Sequence, residues 1–207
     1  MNGELESYFQ TLGGLGKLVV ATSRTGSVMT SADALDWVLA KCTAVKRDGA
    51  RVFFVGNGGS AAIASHMATD WMKNGGFAAL SFNDGAQLTC LANDLGYSEV
   101  FATPLRSHVR EGDLLIAISS SGRSGSIVGA VGAARDKGAD VITLSGFAAD
   151  NPLRALGDIN FYVPNDLYGF VEIAHLSICH AFLDLAMGWR ANGTRPTYVS
   201  YPAGSGT

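Results

Sequence analysis

Apolar positions follow a helical period through the first fifty residues and then collect into short runs, which divides the chain into a helical front and a sheet-forming remainder. Over residues 4–21, Leu5, Tyr8, Phe9, Leu12 and Leu15 recur at helical spacing, and residues 31–48 form a second such stretch behind Ser31, a candidate N-cap. Runs rich in Val, Ile, Leu and Phe then occupy 51–55, 78–82, 114–118, 141–145 and 159–163, separated by helix-length segments. Strands buried on both faces need continuous apolar runs, so the pattern predicts an α/β fold with a five-stranded parallel sheet flanked by helices. Right-handed crossovers would gather the loops after the strands at one edge. A last helix at about 167–190 carries Glu172, His175 and His180 among apolar neighbours. Residues 191–207, rich in Gly, Pro, Ser and Thr, are expected to be disordered or to lie as an arm on a neighbour.

The 207 residues, 47% apolar and 16% charged, suit one domain over 1–190, a helical region 1–50 followed by a core 51–190. So low a charged fraction points to apolar surface covered by other subunits, and a large monomer core would give a similar average. A net charge of −3 with scattered Lys and Arg leaves no basic stripe for nucleic acid. The N-terminus is acidic where a secretion signal would be basic, and no apolar run stands out as long enough to cross a bilayer, so a cytoplasmic protein with no membrane partner is expected. Cys42, Cys90 and Cys179 are odd in number and widely spaced, which argues for reduced thiols over a disulfide framework.

Two loops carry candidate chemistry. Gly56-Asn57-Gly58-Gly59-Ser60 and Ser119-Ser120-Ser121-Gly122-Arg123-Ser124 each follow an apolar run and open a helix, the second beginning near Ser126. Neither holds the Lys of a nucleotide-binding P-loop, so an anion here would meet amides, hydroxyls and helix N-termini, which suits a small phosphosugar better than ATP. Two other readings of the first loop stand beside this one. It fits a Gly-x-Gly-x-x-Ala dinucleotide fingerprint with Asp84 as the ribose acid, and it fits a glycine turn that only permits tight packing. Arg123 either adds a full charge to the second loop or is a solvated surface residue.

His66 and Asp70, four apart, share one helical face just after the first loop. Glu172 and His180, eight apart, lie about 80° from each other around the final helix. Were the two helices to meet, these four groups would suit Zn²⁺ or another divalent transition metal, or would exchange protons with a substrate directly. Taken singly, each has an ordinary structural reading: a satisfied core histidine or a solvated acid.

The Gly-Asn-Gly-Gly-Ser loop, His66 six residues beyond Ser60, Asn93-Asp94 before Gly96, the stretch from Gly112 to Ser119 with its Ser/Gly loop, and Glu172, His175 and His180 together resemble the sedoheptulose 7-phosphate isomerase (phosphoheptose isomerase) family of sugar isomerase (SIS) domains, over nearly all of residues 30–190. The resemblance implies a doubly wound, flavodoxin-like sheet with N-terminal helices for oligomer packing. It implies a homotetramer with sites between subunits and an aldose–ketose isomerisation of a heptose 7-phosphate. Ser60, Ser119, Ser121 and Ser124 would hold the phosphate, with Gly58, Ser120 and Arg123 in the same loops, and Asn57 and Asp94 would line the sugar site. His66, Asp70, Glu172 and His180 would occupy the zinc and acid–base positions, Glu172 also touching substrate, with Asp70 and His180 moving the protons. The chain departs from the family pattern where Asp70 stands for Glu, Glu172 for Gln, Gly169 for Asp and Arg123 for Asn. Those departures keep open a non-catalytic member, a sugar-phosphate sensor or a protein-interaction module of the replication-initiator-binding kind.

Overall fold

The computed structural model describes residues 2–200. Apolar residues alternate between two faces along each central strand, which puts helices on both sides of one sheet. In β3 (Arg51–Gly56), Val52 and Phe54 face a layer built by α2 (Ser31–Asp48), α3 (Gly59–Lys73) and α7 (Tyr168–Ala186). Phe53 and Val55 face α5 (Ala102–His108) and α6 (Gly125–Arg135). In β5 (Leu114–Ser119), Leu114, Ile116 and Ile118 join the first layer and Leu115 and Ala117 the second. Strands covered on both sides cannot carry polar residues outward, and for that reason they read as unbroken apolar runs.

Five strands are parallel, β3, β4 (Ala78–Ser81), β5, β6 (Asp140–Ser145) and β7 (Ile159–Tyr162), in the order β4-β3-β5-β6-β7. This is the flavodoxin-like order, and its direction of winding reverses between β3 and β5. Helix α4 (Gly85–Leu95) packs only partly, through Leu88, Leu91 and Ala92.

The sheet has seven strands where five were expected. Helix α1 (Asn2–Leu15) ends well short of residue 21, and the chain turns through Gly14–Leu18. β1 (Val20–Ser23) then pairs antiparallel with β7, and β2 (Val28–Met29) with β1. Val19, Val20 and Thr22 are stiff at χ1 and favour the pleated surface, where they close the open edge of the sheet. The N-cap of α2 is Thr30, one residue before the expected Ser31: its Oγ1 accepts from the Asp33 amide at 3.1 Å.

By length and composition α7 is apolar enough to cross a bilayer, contrary to the reading that no such run exists. Its buried Phe170, Val171, Cys179, Phe182 and Leu183 pack instead within the core. As far as Val199 the tail bonds to its own chain and is ordered there, with the Val199 amide donating to Asn74 O at 2.8 Å. Residues 201–207 lie outside the described residues.

Candidate active site

The loops after β3 and β5 meet where the strand order reverses, the position at which folds of this kind bind ligands. Between them lies a pocket of about 320 Å³ lined by Asn57, Gly58, Gly59, Ser60, Ser119, Ser120, Ser121, Ser124, Tyr168 and Glu172, with Ile118 at its floor. Three helices begin at this pocket: α3 at Gly59, α6 after Ser124 and α7 at Tyr168. Free amides at helix N-termini and the positive ends of three dipoles therefore face one cavity. No Lys or Arg lines it among the described residues, so an anion would be held by backbone and hydroxyls.

Asn57 joins the two loops. Its Nδ2 donates to Ser124 Oγ at 2.8 Å and to Ser126 Oγ at 3.0 Å, and its Oδ1 accepts from the Tyr97 hydroxyl at 2.8 Å. Ser119 Oγ accepts from the Gly122 amide and Ser121 Oγ from the Arg123 amide, which shapes the second loop. The buried Ser120 Oγ has no hydrogen-bond partner, a polar atom at the pocket wall that a bound anion or water would satisfy. Gly58 has a φ of 55°, open to glycine at no cost, and a Cβ on Gly59 would overlap the Glu172 carboxylate.

A second polar group lies two turns further along α3 and α7. His66 Nε2 and His180 Nε2 are 3.2 Å apart, and Asp70 Oδ2 is 3.6 Å from His66 Nε2 and 3.8 Å from His180 Nδ1. Tetrahedral geometry with metal–nitrogen bonds of about 2.0–2.1 Å puts two nitrogens roughly 3.3 Å apart, so the two imidazoles have the spacing of a shared divalent transition metal, with the Asp70 carboxylate near enough to be a third ligand. One oxygen or nitrogen from each of the three lies within 4.8 Å of the others. With neutral imidazoles the same 3.2 Å contact is a hydrogen bond, one ring donating and the other accepting.

Not every expected residue comes to these two groups. Glu172 lies in the pocket between the two loops, over Gly59, and not with His66, Asp70 and His180. Arg123 is turned outward, its Nη2 donating to Asp150 Oδ1 at 2.8 Å, so the pocket gains no charge from it. Asp94 stands on the exposed α4, bonded by Asn93 Nδ2 at 2.8 Å, outside the pocket lining. Ser126 stands at the start of α6, as expected, and its hydroxyl also meets Asn57; nothing in the sequence marks Tyr97 or Tyr168 as a neighbour of either loop. Beneath the site His175 is fully buried. Its Nε2–H donates to Ser145 O at 3.1 Å, and burial pulls its pKa down to about 4, so it is a neutral structural residue.

Strand order and loops of this kind define a doubly wound α/β protein with its ligand site at the reversal of the sheet, and residues 19–146 match the family described as SIS domain. The chain is 35% identical over 143 residues to the phosphoheptose isomerase of Salmonella paratyphi B, covering 66% of this chain and 74% of that one. The structure resembles phosphoheptose isomerase GmhA from Neisseria gonorrhoeae with a TM-score of 0.76 at 25% identity, over 89% of this chain and 97% of the other. It resembles a phosphoheptose isomerase from Francisella tularensis with a TM-score of 0.72 at 27% identity, over 89% and 96%. The chain belongs to the phosphoheptose isomerase family of SIS-domain proteins.

Proposed function

We propose that this protein interconverts sedoheptulose 7-phosphate and an aldoheptose 7-phosphate through an enediol. The observation that carries the reading is the placement of a helix-borne imidazole and carboxylate group two turns from an anion pocket on the same two helices, α3 and α7. Moving a carbonyl between C2 and C1 needs a base for a carbon-bound proton, an acid for oxygen, and stabilisation of the enediolate. Asp70 and His180 are the proton carriers. Ser60, Ser119, Ser120, Ser121 and Ser124, with the amide-rich turn at Gly58, hold the phosphate. Asn57 fixes the loops and lines the sugar path, with Glu172 as an acceptor for sugar hydroxyls. Zn²⁺ held by His66, Asp70 and His180 would stabilise negative charge on the substrate oxygens as a Lewis acid. A pure sensor or docking module has no need of the His66–Asp70–His180 group.

The functional unit in this reading is one domain over 1–190, cytoplasmic, assembled as a homotetramer with sites between subunits. Exposed Leu5 and Phe9 on α1 and an apolar pocket of about 500 Å³ lined by Leu12, Leu35, Phe161, Ile178 and Leu185 support burial against other copies. NMR of the protein with sedoheptulose 7-phosphate in D₂O is the test. Appearance of the aldose with deuterium beside the carbonyl is expected, and Asp70→Asn and His180→Gln should each slow it by about 10²–10⁴-fold without loss of fold. Full turnover in both variants would remove these residues from the chemistry.

A further inference from the structure

Among the described residues beyond α7 there is neither helix nor strand, yet this segment stays on the molecule. The Arg190 amide donates to Thr194 O at 3.1 Å and closes a turn. Thr197 N then donates to the carbonyl of Met187, which ends α7, and Val199 N to that of Asn74, which ends α3, both at 2.8 Å. Val199 also lies against Gly76. Residues 194–200 therefore strap the last turn of α7 to the last turn of α3. These turns border the histidine group. The carbonyl of Asp70 accepts from the Asn74 amide at 2.7 Å, and Asp184 stands one turn beyond His180.

Tyr198, between the two backbone bonds, donates its hydroxyl to Asp184 Oδ1 at 2.5 Å. His66 with Asp70 and His180 with Asp184 have the same spacing of four, so on each of two packed helices an imidazole and a carboxylate share a face. The Tyr198 phenol is pushed up to about 12, first by the bond to Asp184, then by burial and the charge of Asp184, and last by the charge of Asp70. Both carboxylates thus act on one hydroxyl.

We infer that Tyr198 is a positioning residue for the His66–Asp70–His180 group: it holds Asp184 and, with the strap, fixes the separation of the C-terminal ends of α3 and α7, the two helices that carry the imidazoles within about two turns of those ends. The inference rests on reading that group as a cation-binding acid–base centre. A pair of nitrogens set for tetrahedral coordination tolerates only a few tenths of an ångström, and a link between the C-terminal turns of α3 and α7 acts directly on that distance.

The test is a Co²⁺ titration of the full chain followed by visible absorption, for the wild type, Tyr198→Phe, Asp184→Ala and the double variant. Each single change should weaken Co²⁺ by about tenfold, the low end for outer-shell partners of metal ligands. The double variant should be no weaker than the worse single one, because both break the same link. Affinity for inorganic phosphate and the KM for sedoheptulose 7-phosphate should hold while kcat falls. Unchanged Co²⁺ affinity in Tyr198→Phe, additive losses in the double variant, or an equal weakening of phosphate would overturn the inference. If the wild type takes up no Co²⁺, the cation reading itself fails, and the histidine ring signals in ¹H–¹⁵N spectra decide the positioning role separately. Tyr198→Phe should then shift the rings of His66 and His180 and spare those of His108 and His175; unshifted His66 and His180 rings would refute it.

Discussion

Acidification acts on this fold through His175, and the size of the effect follows from its burial. The side chain is fully enclosed, its pKa drawn from an ordinary 6.5 to about 4 by desolvation, against a smaller opposing contribution from the bond to Ser145 O. The unfolded chain takes up a proton as pH falls through 6.5, whereas the folded chain resists until about 4. Stability is therefore complete above pH 6.5 and declines as pH falls toward 4. The linkage gives a loss of ~2 kcal/mol between pH 7.5 and 5, and ~3 kcal/mol once both states are protonated. His175→Gln keeps an N–H for Ser145 O and has no proton to gain, so it isolates the effect from the carboxylates, which titrate alike in both proteins. Urea unfolding at fixed protein concentration, at pH 7.5 and at pH 5, gives the comparison. The wild type should lose ~2 kcal/mol more than the variant over that interval. Parallel losses would show that His175 is hydrated or already charged in the folded protein. The same bond ties the middle of α7 to the end of β6, between Glu172 and His180, so the loosening reaches both groups of the site.

The pocket supplies two further expectations. Ser121→Ala and Ser124→Ala should each raise KM by about fivefold with kcat unchanged, the value of one hydrogen bond of roughly 1 kcal/mol made equally in ground and transition states; an unchanged KM would place the phosphate elsewhere. Gly59→Ala puts a methyl group where the Glu172 carboxylate lies. That flexible side chain can swing aside, so urea unfolding should show a cost under about 1 kcal/mol. Activity should fall to the level of Glu172→Ala, with the double variant no lower, and steady-state kinetics that show additive losses would separate the two residues.

Four of the parallel strands, β3, β5, β6 and β7, were legible because burial on both faces leaves no polar alternation to confuse the run, and β4, half-exposed at the sheet edge, was legible as an apolar run of its own. The β1–β2 hairpin was not, since its short strands follow an apolar spacing that continues the helical count of α1 across the glycines at 13, 14 and 16. The i,i+4 pair of His66 and Asp70 could be read directly, because one turn of helix brings the two groups together. Glu172 and His180 lie about 80° apart around α7, within one broad face, but stand two turns apart along the axis, and a helical-face argument that counts only angle sets them at one centre. Arg123 could not be placed from its own loop, because its partner Asp150 comes from the connection after β6. Thr30 outcompetes Ser31 as a cap through a reciprocal contact, its hydroxyl also donating to Asp33 Oδ2 at 2.7 Å.

Helices α3 and α7 both start at the phosphate pocket and both carry the imidazole group downstream, so they run side by side as two rulers with a common zero. From Gly59 to His66 is seven residues, and from Glu172 to His180 eight, which at 1.5 Å of rise is about 10 and 12 Å. With the phosphate held at the loops and Asp70 and His180 carrying the protons, as proposed, a substrate would be measured against that span: a triose phosphate would stop short of the pair, and a longer sugar chain would present its carbonyl to it. Length selection would then be a property of helix geometry, set before any contact with a hydroxyl group, and a residue inserted into either helix would change the sugar that the other still measures.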